Sequence, residues 1–323
     1  MMRTLIKLLR ISLGILVCIF LLYPVDLSVD AQDKGKTQAV RGNVRTITIP
    51  ITIKPKRKRL SEELRVVDLA VSEDGQPRQN LSIRTATDSP LSLAILVQDD
   101  LVSSIGNEIK PLASFIRALP SDSRVLIGTL GIGSLRVRQK FTKDLNRASS
   151  ALRIPLGSAS SAPYNPYVEV VEALRRFDSQ PVGRRAILLI SDGVDVSRGL
   201  SESSPTQSID LQRAIAESQR RGVAIYSFYA PTAGLTSGNN SFLISNGQSS
   251  LARLSDETGG KAFFQGTGQP VSFDPFIREL QDTLYSQIAL TFLSTSENNG
   301  FHRLEVSLNA PDMELRYPRG YSR

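Results

Sequence analysis

The chain has no tryptophan, one cysteine, one histidine and three methionines among its 323 residues. Each scarcity removes a class of chemistry. Cys18 lies in an N-terminal stretch that reads as a leader, so the chain that follows has no thiol and no disulfide. That excludes thiol catalysis, zinc–thiolate sites and a disulfide scaffold, and leaves the fold to be held by its core alone. A Ser-His-Asp hydrolase needs a histidine base. The only candidate is His302, which reads as a solvent-facing residue of a C-terminal strand. Phosphate loops are also missing. GGKA (259–262) lacks the spacing and the hydroxyl, and GIGS (131–134) lacks a third glycine and leads into a strand rather than a helix.

The leader has three parts. MMRTLIKLLR carries three positive charges, ISLGILVCIFLLYPV is apolar, and DLSVDA ends with Val29 and Ala31 spaced as at a signal-peptidase site. The apolar part is 15 residues long, short of the roughly 20 that span a bilayer. Residues 1–31 therefore read as a cleaved secretory signal, with an uncleaved anchor as the alternative. The mature chain is expected to have no membrane span and to be exported: periplasmic, secreted or associated with the cell envelope. Ile15, Leu16 and Val17 before Cys18 include no small residue, which argues against a lipoprotein signal.

The net charge of +8 becomes +7 without the leader, which holds three basic and two acidic residues. KPKRKRL (54–60) concentrates part of the excess. It has no interleaved aromatics and belongs to an exported chain, so it reads as a solvated loop and not as a nucleic-acid site.

Residues 32–43 read as a polar, disordered linker. From 44 to 88 the pattern is all β: VRTITIPITIKP alternates, and two further strands flank the turn Glu73-Asp74-Gly75-Gln76-Pro77. At Pro90 the character changes. LSLAILV, RVLIGTL, RRAILLIS and VAIYSFY are continuous apolar runs, as strands buried on both faces require. LRVRQKF alternates and reads as an edge strand. Helical spacing appears in Ile109–Leu119, Leu145–Ile154, Tyr167–Phe177, Ser208–Gly222, Leu251–Thr258 and Pro275–Ser286, with Ser208 a cap and Gly222 a stop. Alternating strands and helices imply an α/β, doubly wound, mostly parallel sheet over 89–286. QIALTFLST, FHRLEVSLN and MELRYP return to β over 287–323, and both flanks are expected to pair into one small all-β appendage.

SPLSLAILV followed by an acidic loop, RRAILLISDGVDVS, and a helix ending RRGVAIYSF together resemble a von Willebrand factor A domain. SEDGQPRQNLSI (72–83), ETGGKAFF (257–264) and RYPRGY (316–321) extend the resemblance to the VWFA-related proteins of Acidobacteria, over residues 44–321. The resemblance implies a binding module. Many A domains hold a divalent cation in a metal-ion-dependent adhesion site. Its parts are Asp-x-Ser-x-Ser after the first strand, a threonine in a middle loop and an aspartate after the fourth strand. Magnesium wants octahedral oxygen ligands and takes a partner carboxylate or waters as the remainder.

Carried over residue by residue, Asp192 matches the late aspartate. The first loop, QDDLVSS, does not match in any register: a start at Asp99 or at Asp100 loses a serine, and a start directly after the strand makes the aspartate Gln98. Loop 157–166 holds no threonine. The site is thus degenerate, and the candidate ligands for Mg2+ or Mn2+ are Asp99, Asp100, Ser103, Ser104 and Asp192. The competing expectation is that Asp99 and Asp100 brace a helix beginning near Ile105, where negative charge is favoured. Tyr164, Asn165 and Tyr167 are candidates for partner contact, since exposed tyrosines combine apolar area with a hydroxyl. The functional expectation is an exported, non-enzymatic module that binds a protein at the carboxyl edge of the sheet. The alternatives are a metal-free scaffold in an envelope assembly and a hydrolase using Asp99, Asp100 and Asp192.

Overall fold

A computed structural model of the chain describes residues 44–55, 68–157, 165–236, 241–264, 266, 272–310 and 312–323. The leader, the segment 32–43, most of the basic run and Tyr164 lie outside the described residues. The strands are β1 (Arg45–Pro55), β2 (Leu69–Glu73), β3 (Gln76–Arg78), β4 (Asn80–Arg84), β5 (Ser92–Gln98), β6 (Arg124–Gly131), β7 (Ser134–Thr142), β8 (Arg185–Ser191), β9 (Ala224–Tyr229), β10 (Ala262–Phe263), β11 (Gln287–Ser294), β12 (Phe301–Leu308), β13 (Met313–Arg316) and β14 (Gly320–Ser322). The principal helices are α1 (Ile109–Arg117), α2 (Leu145–Ser150), α3 (Pro166–Arg175), α4 (Ile209–Arg221), α5 (Ser241–Glu257) and α6 (Asp274–Tyr285).

The central sheet has the order β10-β9-β8-β5-β6-β7. All neighbours are parallel except β7, which runs antiparallel to β6 at one edge. Every residue of β5 and β8 is buried. Their side chains alternate between two layers. Leu93, Ile95 and Val97 pack with Leu112 and Phe115 of α1 and with Phe276 and Leu280 of α6. Ala94 and Leu96 pack with Val170 of α3, Leu211 of α4 and Leu251 of α5. This is a doubly wound α/β sheet, and the continuous apolar runs follow from helices covering both faces.

Two helix ends obey the sequence closely. Ser208 Oγ accepts from Leu211 N at 3.2 Å, and Gly222 closes α4 in the left-handed conformation. At α5 the sequence expectation falls short. The helix starts at Ser241, ten residues before the expected Leu251. Gly247 sits inside it, and a mid-helix glycine weakens the helical signal. The reason for glycine there is contact: a Cβ at Gly247 would lie 2.2 Å from the Asp192 carbonyl oxygen.

The flanking strands form two antiparallel four-stranded sheets, β13-β1-β11-β4 and β14-β12-β2-β3. Residues 45–52 of β1 pair with β11, so the two flanks of the chain meet in one sheet. Ile49, Ile51, Val71, Leu290, Phe292, Leu304, Val306 and Tyr321 fill the space between the sheets. Asp74 (φ 52°) and Gly75 (φ 77°) make the tight turn of the β2–β3 hairpin, the positive-φ pair such a turn demands. His302 corrects an expectation. It is buried, not solvent-facing, because β12 alternates with His302, Leu304 and Val306 pointing inward.

Arg184 joins the central sheet to this β layer. Its guanidinium donates to the carbonyls of Gln287 (2.8 Å), Ser89 (3.1 Å) and Leu284. Replacing it with methionine would take the guanidinium donor from all three carbonyls, of which Leu284 O also accepts from Ser286 N. Arg184→Met is expected to cost about 3 kcal/mol in urea unfolding. A loss below about 1 kcal/mol would show that the seam does not depend on this residue.

Candidate functional site

In an open α/β sheet the crevice for ligands lies at the carboxyl ends of the two strands where the winding reverses. Here those strands are β5 and β8, and the loops that follow them carry the acidic residues. Gln98 ends β5 and Ser191 ends β8. The Gln98 carbonyl oxygen accepts from Ser191 Oγ at 2.5 Å and from Asp192 N at 3.3 Å. Its amide nitrogen donates to Asp100 Oδ1 at 2.8 Å. One buried amide therefore bridges the two loops and sets Asp100 beside Asp192. Asp192 also accepts from Val194 N at 3.0 Å and from the Thr232 side chain. The loop after β9 is drawn in as well, through a bridge between Leu101 and Thr232.

Burial dominates the electrostatics. It pushes the Asp192 carboxyl up to about 7, with the nearby Asp100 charge adding to the rise and the Val194 amide opposing it. Asp100 is raised in the same way, first by burial, against the hydrogen bond from Gln98. Among the described residues no basic side chain is bonded to either carboxylate. Gly193 (φ 71°) holds the turn after Asp192, and a Cβ there would lie 2.5 Å from the Gly247 carbonyl oxygen. The β8 loop thus packs backbone to backbone on α5, which fixes where Asp192 points.

The five candidate ligands do not form one group. Asp99 turns away from Asp192. Its Oδ1 accepts from Leu156 N at 3.2 Å and its Oδ2 lies 3.9 Å from the Arg136 guanidinium. Ser103 is exposed, and Ser104 Oγ is enclosed without a partner. Among the described residues no three His, Cys, Asp or Glu side chains are placed to hold a metal ion. What remains is a pair of carboxylates, the Gln98 amide carbonyl and the Ser191 and Thr232 hydroxyls, with Asp192 already accepting from Val194 N and the Thr232 side chain and Asp100 from Gln98. That set does not fit the family-type cation site. The bracing expectation also fails. A 3₁₀ helix, Ser103–Glu108, precedes α1, and its cap residue is Val102 with no side-chain bond.

The partner-contact candidates need correction too. Tyr167 is 0% exposed, and its hydroxyl donates to the Gly193 carbonyl at 2.6 Å. Asn165 caps α3 by accepting from Tyr167 N at 3.0 Å and donates to Asp210 at 2.6 Å. Both residues brace the loop after β8, and neither presents a surface.

Sequence reasoning missed what does. Nine of the fourteen exposed large apolar side chains among the described residues lie at this end of the sheet. They are Ile132 in the hairpin after β6, Ile154 and Leu156 after α2, Val168 and Ile209 in the first turns of α3 and α4, Val196 and Leu200 after β8, Phe242 at the start of α5 and Phe264 after β10. They stand singly or in twos on separate loops and helix starts, so no local pattern marks them; only the parallel sheet gathers them.

No protein-family model matches the chain, and no curated protein does. Solved structures similar to it include BatB from Bacteroides thetaiotaomicron (12% identity, 60% of this chain and 97% of that one, TM-score 0.42). Another is the SpRpn10 VWA domain (15% identity, 46% and 79%, TM-score 0.33). A third is the pilus adhesin SpaC from Lactobacillus rhamnosus GG in an open conformation (7% identity, 84% and 47%, TM-score 0.43). At these scores the likeness decides nothing, and the fold stands on the strand order of the sheet itself: a mixed α/β, doubly wound, mostly parallel sheet with antiparallel sheets added.

Proposed function

We propose that this chain is an exported, non-enzymatic binding module that meets a protein partner at the carboxyl edge of its central sheet. In this reading residues 89–286 are the A-type domain, and 44–88 with 287–323 are its β appendage. The observation that carries the proposal is the concentration of exposed apolar side chains on the loops around Asp100 and Asp192. Exposed apolar side chains gathered on one face, rimmed by polar groups, mark interaction surfaces on soluble proteins. No helix among the described residues is long and apolar enough to cross a membrane.

The test compares the full mature chain with Leu200→Asp and Phe242→Asp as baits in an envelope extract. Both side chains are more than half exposed, so neither change disturbs the core. A partner band lost from both variants at unchanged melting temperature supports the reading. Equal capture by all three baits places the partner elsewhere, and no band at all favours the scaffold alternative.

A bound cation is a second reading, favoured by the burial of Asp100 and Asp192 together with no basic side chain bonded to either. A cation held with a Kd of about 0.1 mM would raise stability by about 2.7 kcal/mol at about 10 mM. Titration of magnesium or manganese against melting temperature reads this directly. No shift sinks the cation reading and leaves the binding reading standing. The hydrolase alternative asks for Asp99 beside Asp100 and Asp192, and Asp99 faces Arg136 and Leu156 instead.

A further inference from the structure

At the opposite, amino-terminal end of the sheet a groove of about 480 Å³ opens between the β layer and the C-terminal end of α4. Two strand edges line it. β1 pairs with β11 through residues 45–52, and on its other side with β13 only through residues 52–55. On that second side the backbone groups of Thr46 have no strand partner among the described residues, whereas the Thr48 carbonyl oxygen lies against Gly222, where a Cβ would stand 2.8 Å from it. β14 pairs only with β12. Arg323 N donates to Gly300 O on that side, and alternation then turns the Ser322 backbone outward. Pro50, without an N–H, ends the open stretch of β1. The groove therefore offers a short edge and not a long one.

Its charge is one-sided. Arg45, Arg185, Arg220, Arg221 and Arg323 line it, against Asp178 alone. Glu217, just outside, takes up Arg220 and shares Arg221 with Asp178. Arg185 donates to three backbone carbonyls, and among the described residues no carboxylate is bonded to it. Arg323 donates through Nη1 to the Ser296 and Asn298 carbonyls, and its Nε is enclosed without a partner among the described residues.

We propose that this groove binds an extended acidic peptide segment of another protein, which pairs with the open edge at Thr46 and sets its carboxylates against Arg45 and Arg323. Unpaired strand edges give affinity by adding a strand, and the flanking charges choose its sequence. The chain's own residues 32–43 are the wrong occupant by charge, with Lys34, Lys36 and Arg41 against Asp33. This site is independent of the carboxyl edge.

Fluorescence anisotropy with the mature chain and a labelled octapeptide of alternating glutamate and valine tests it. Two control peptides replace glutamate by lysine, or keep the charges and N-methylate the backbone. The glutamate peptide is expected to bind, and each control at least about tenfold more weakly. Thr46→Pro and Arg45→Glu should each weaken the glutamate peptide by about tenfold or more at unchanged melting temperature. If Thr46→Pro disturbs folding, Arg45→Glu carries the test alone. Equal binding of the glutamate and lysine peptides overturns the proposal. Equal binding of the N-methylated peptide reduces the groove to a simple anion site. Self-association of the chain that Arg45→Glu abolishes would make a second copy the occupant.

Discussion

Replacing Asp192 with asparagine is expected to make the protein more stable at alkaline pH. In the folded state burial holds the carboxyl protonated up to about pH 7; in the unfolded chain an aspartate ionises near pH 4. Between these values the folded state keeps a proton that the unfolded state releases. The contribution is fully present below about pH 4 and is lost as pH rises through about 7. The full loss is on the order of 4 kcal/mol. Asparagine keeps the shape, accepts from Val194 N and does not ionise. In metal-free buffer the advantage of Asp192→Asn should therefore grow by about 3 kcal/mol between about pH 5 and about pH 9, read from urea unfolding of both proteins. A gap that stays flat would mean that Asp192 is ionised in the folded protein and meets a compensating charge. Because magnesium would lower the same carboxyl, adding it should narrow the gap only if the cation reading is right.

Glu73→Ala is expected to cost about 4 kcal/mol, a large share of the stability of a chain without disulfides. Glu73 is 0% exposed. It accepts from Arg78 Nε at 2.5 Å, from Ser294 Oγ at 2.7 Å and from the Tyr321 hydroxyl. Its removal leaves an arginine and two hydroxyls enclosed between the sheets of the β layer. His302 closes the cluster, stacked on Tyr321 and bonded to Asp74 at 2.8 Å and to the Asn298 carbonyl at 3.0 Å. The double change Glu73→Leu with Arg78→Met should cost less than Glu73→Ala, because it removes the charges as a pair. A single-mutant loss below about 1 kcal/mol, measured by urea unfolding, would show that water reaches the cluster.

Several elements were legible because their cause is local. The apolar runs of β5 and β8, the Ser208 cap, the Gly222 stop and the Asp74-Gly75 turn each follow from residues a few positions apart. The phase of β12 was legible too. FHRLEVSL places His302 in step with Leu304 and Val306, so its inward direction was available from alternation and was misread. The start of α5 was not legible. Gly247 lowers the local helical signal for the sake of a contact with Asp192, which lies far away along the chain.

The candidate site divides in the same way. The sequence alone determined a doubly wound sheet, placed acidic loops after its first and fourth strands, and ruled out thiol and triad chemistry. Those conclusions need only periodicity, composition and spacing. Only the tertiary structure decided which of the acids meet. Asp99 and Asp100 are neighbours in the chain, yet one turns to Leu156 and Arg136 while the other is bound to Gln98 beside Asp192. The choice lies with Gln98, whose side-chain amide joins the end of β8 to the loop after β5, and a side chain that bridges segments far apart in sequence leaves no periodic trace. The apolar rim and the basic groove have the same origin. Each is made of residues that are unremarkable one by one and become a surface only when the sheet brings its loops to one end.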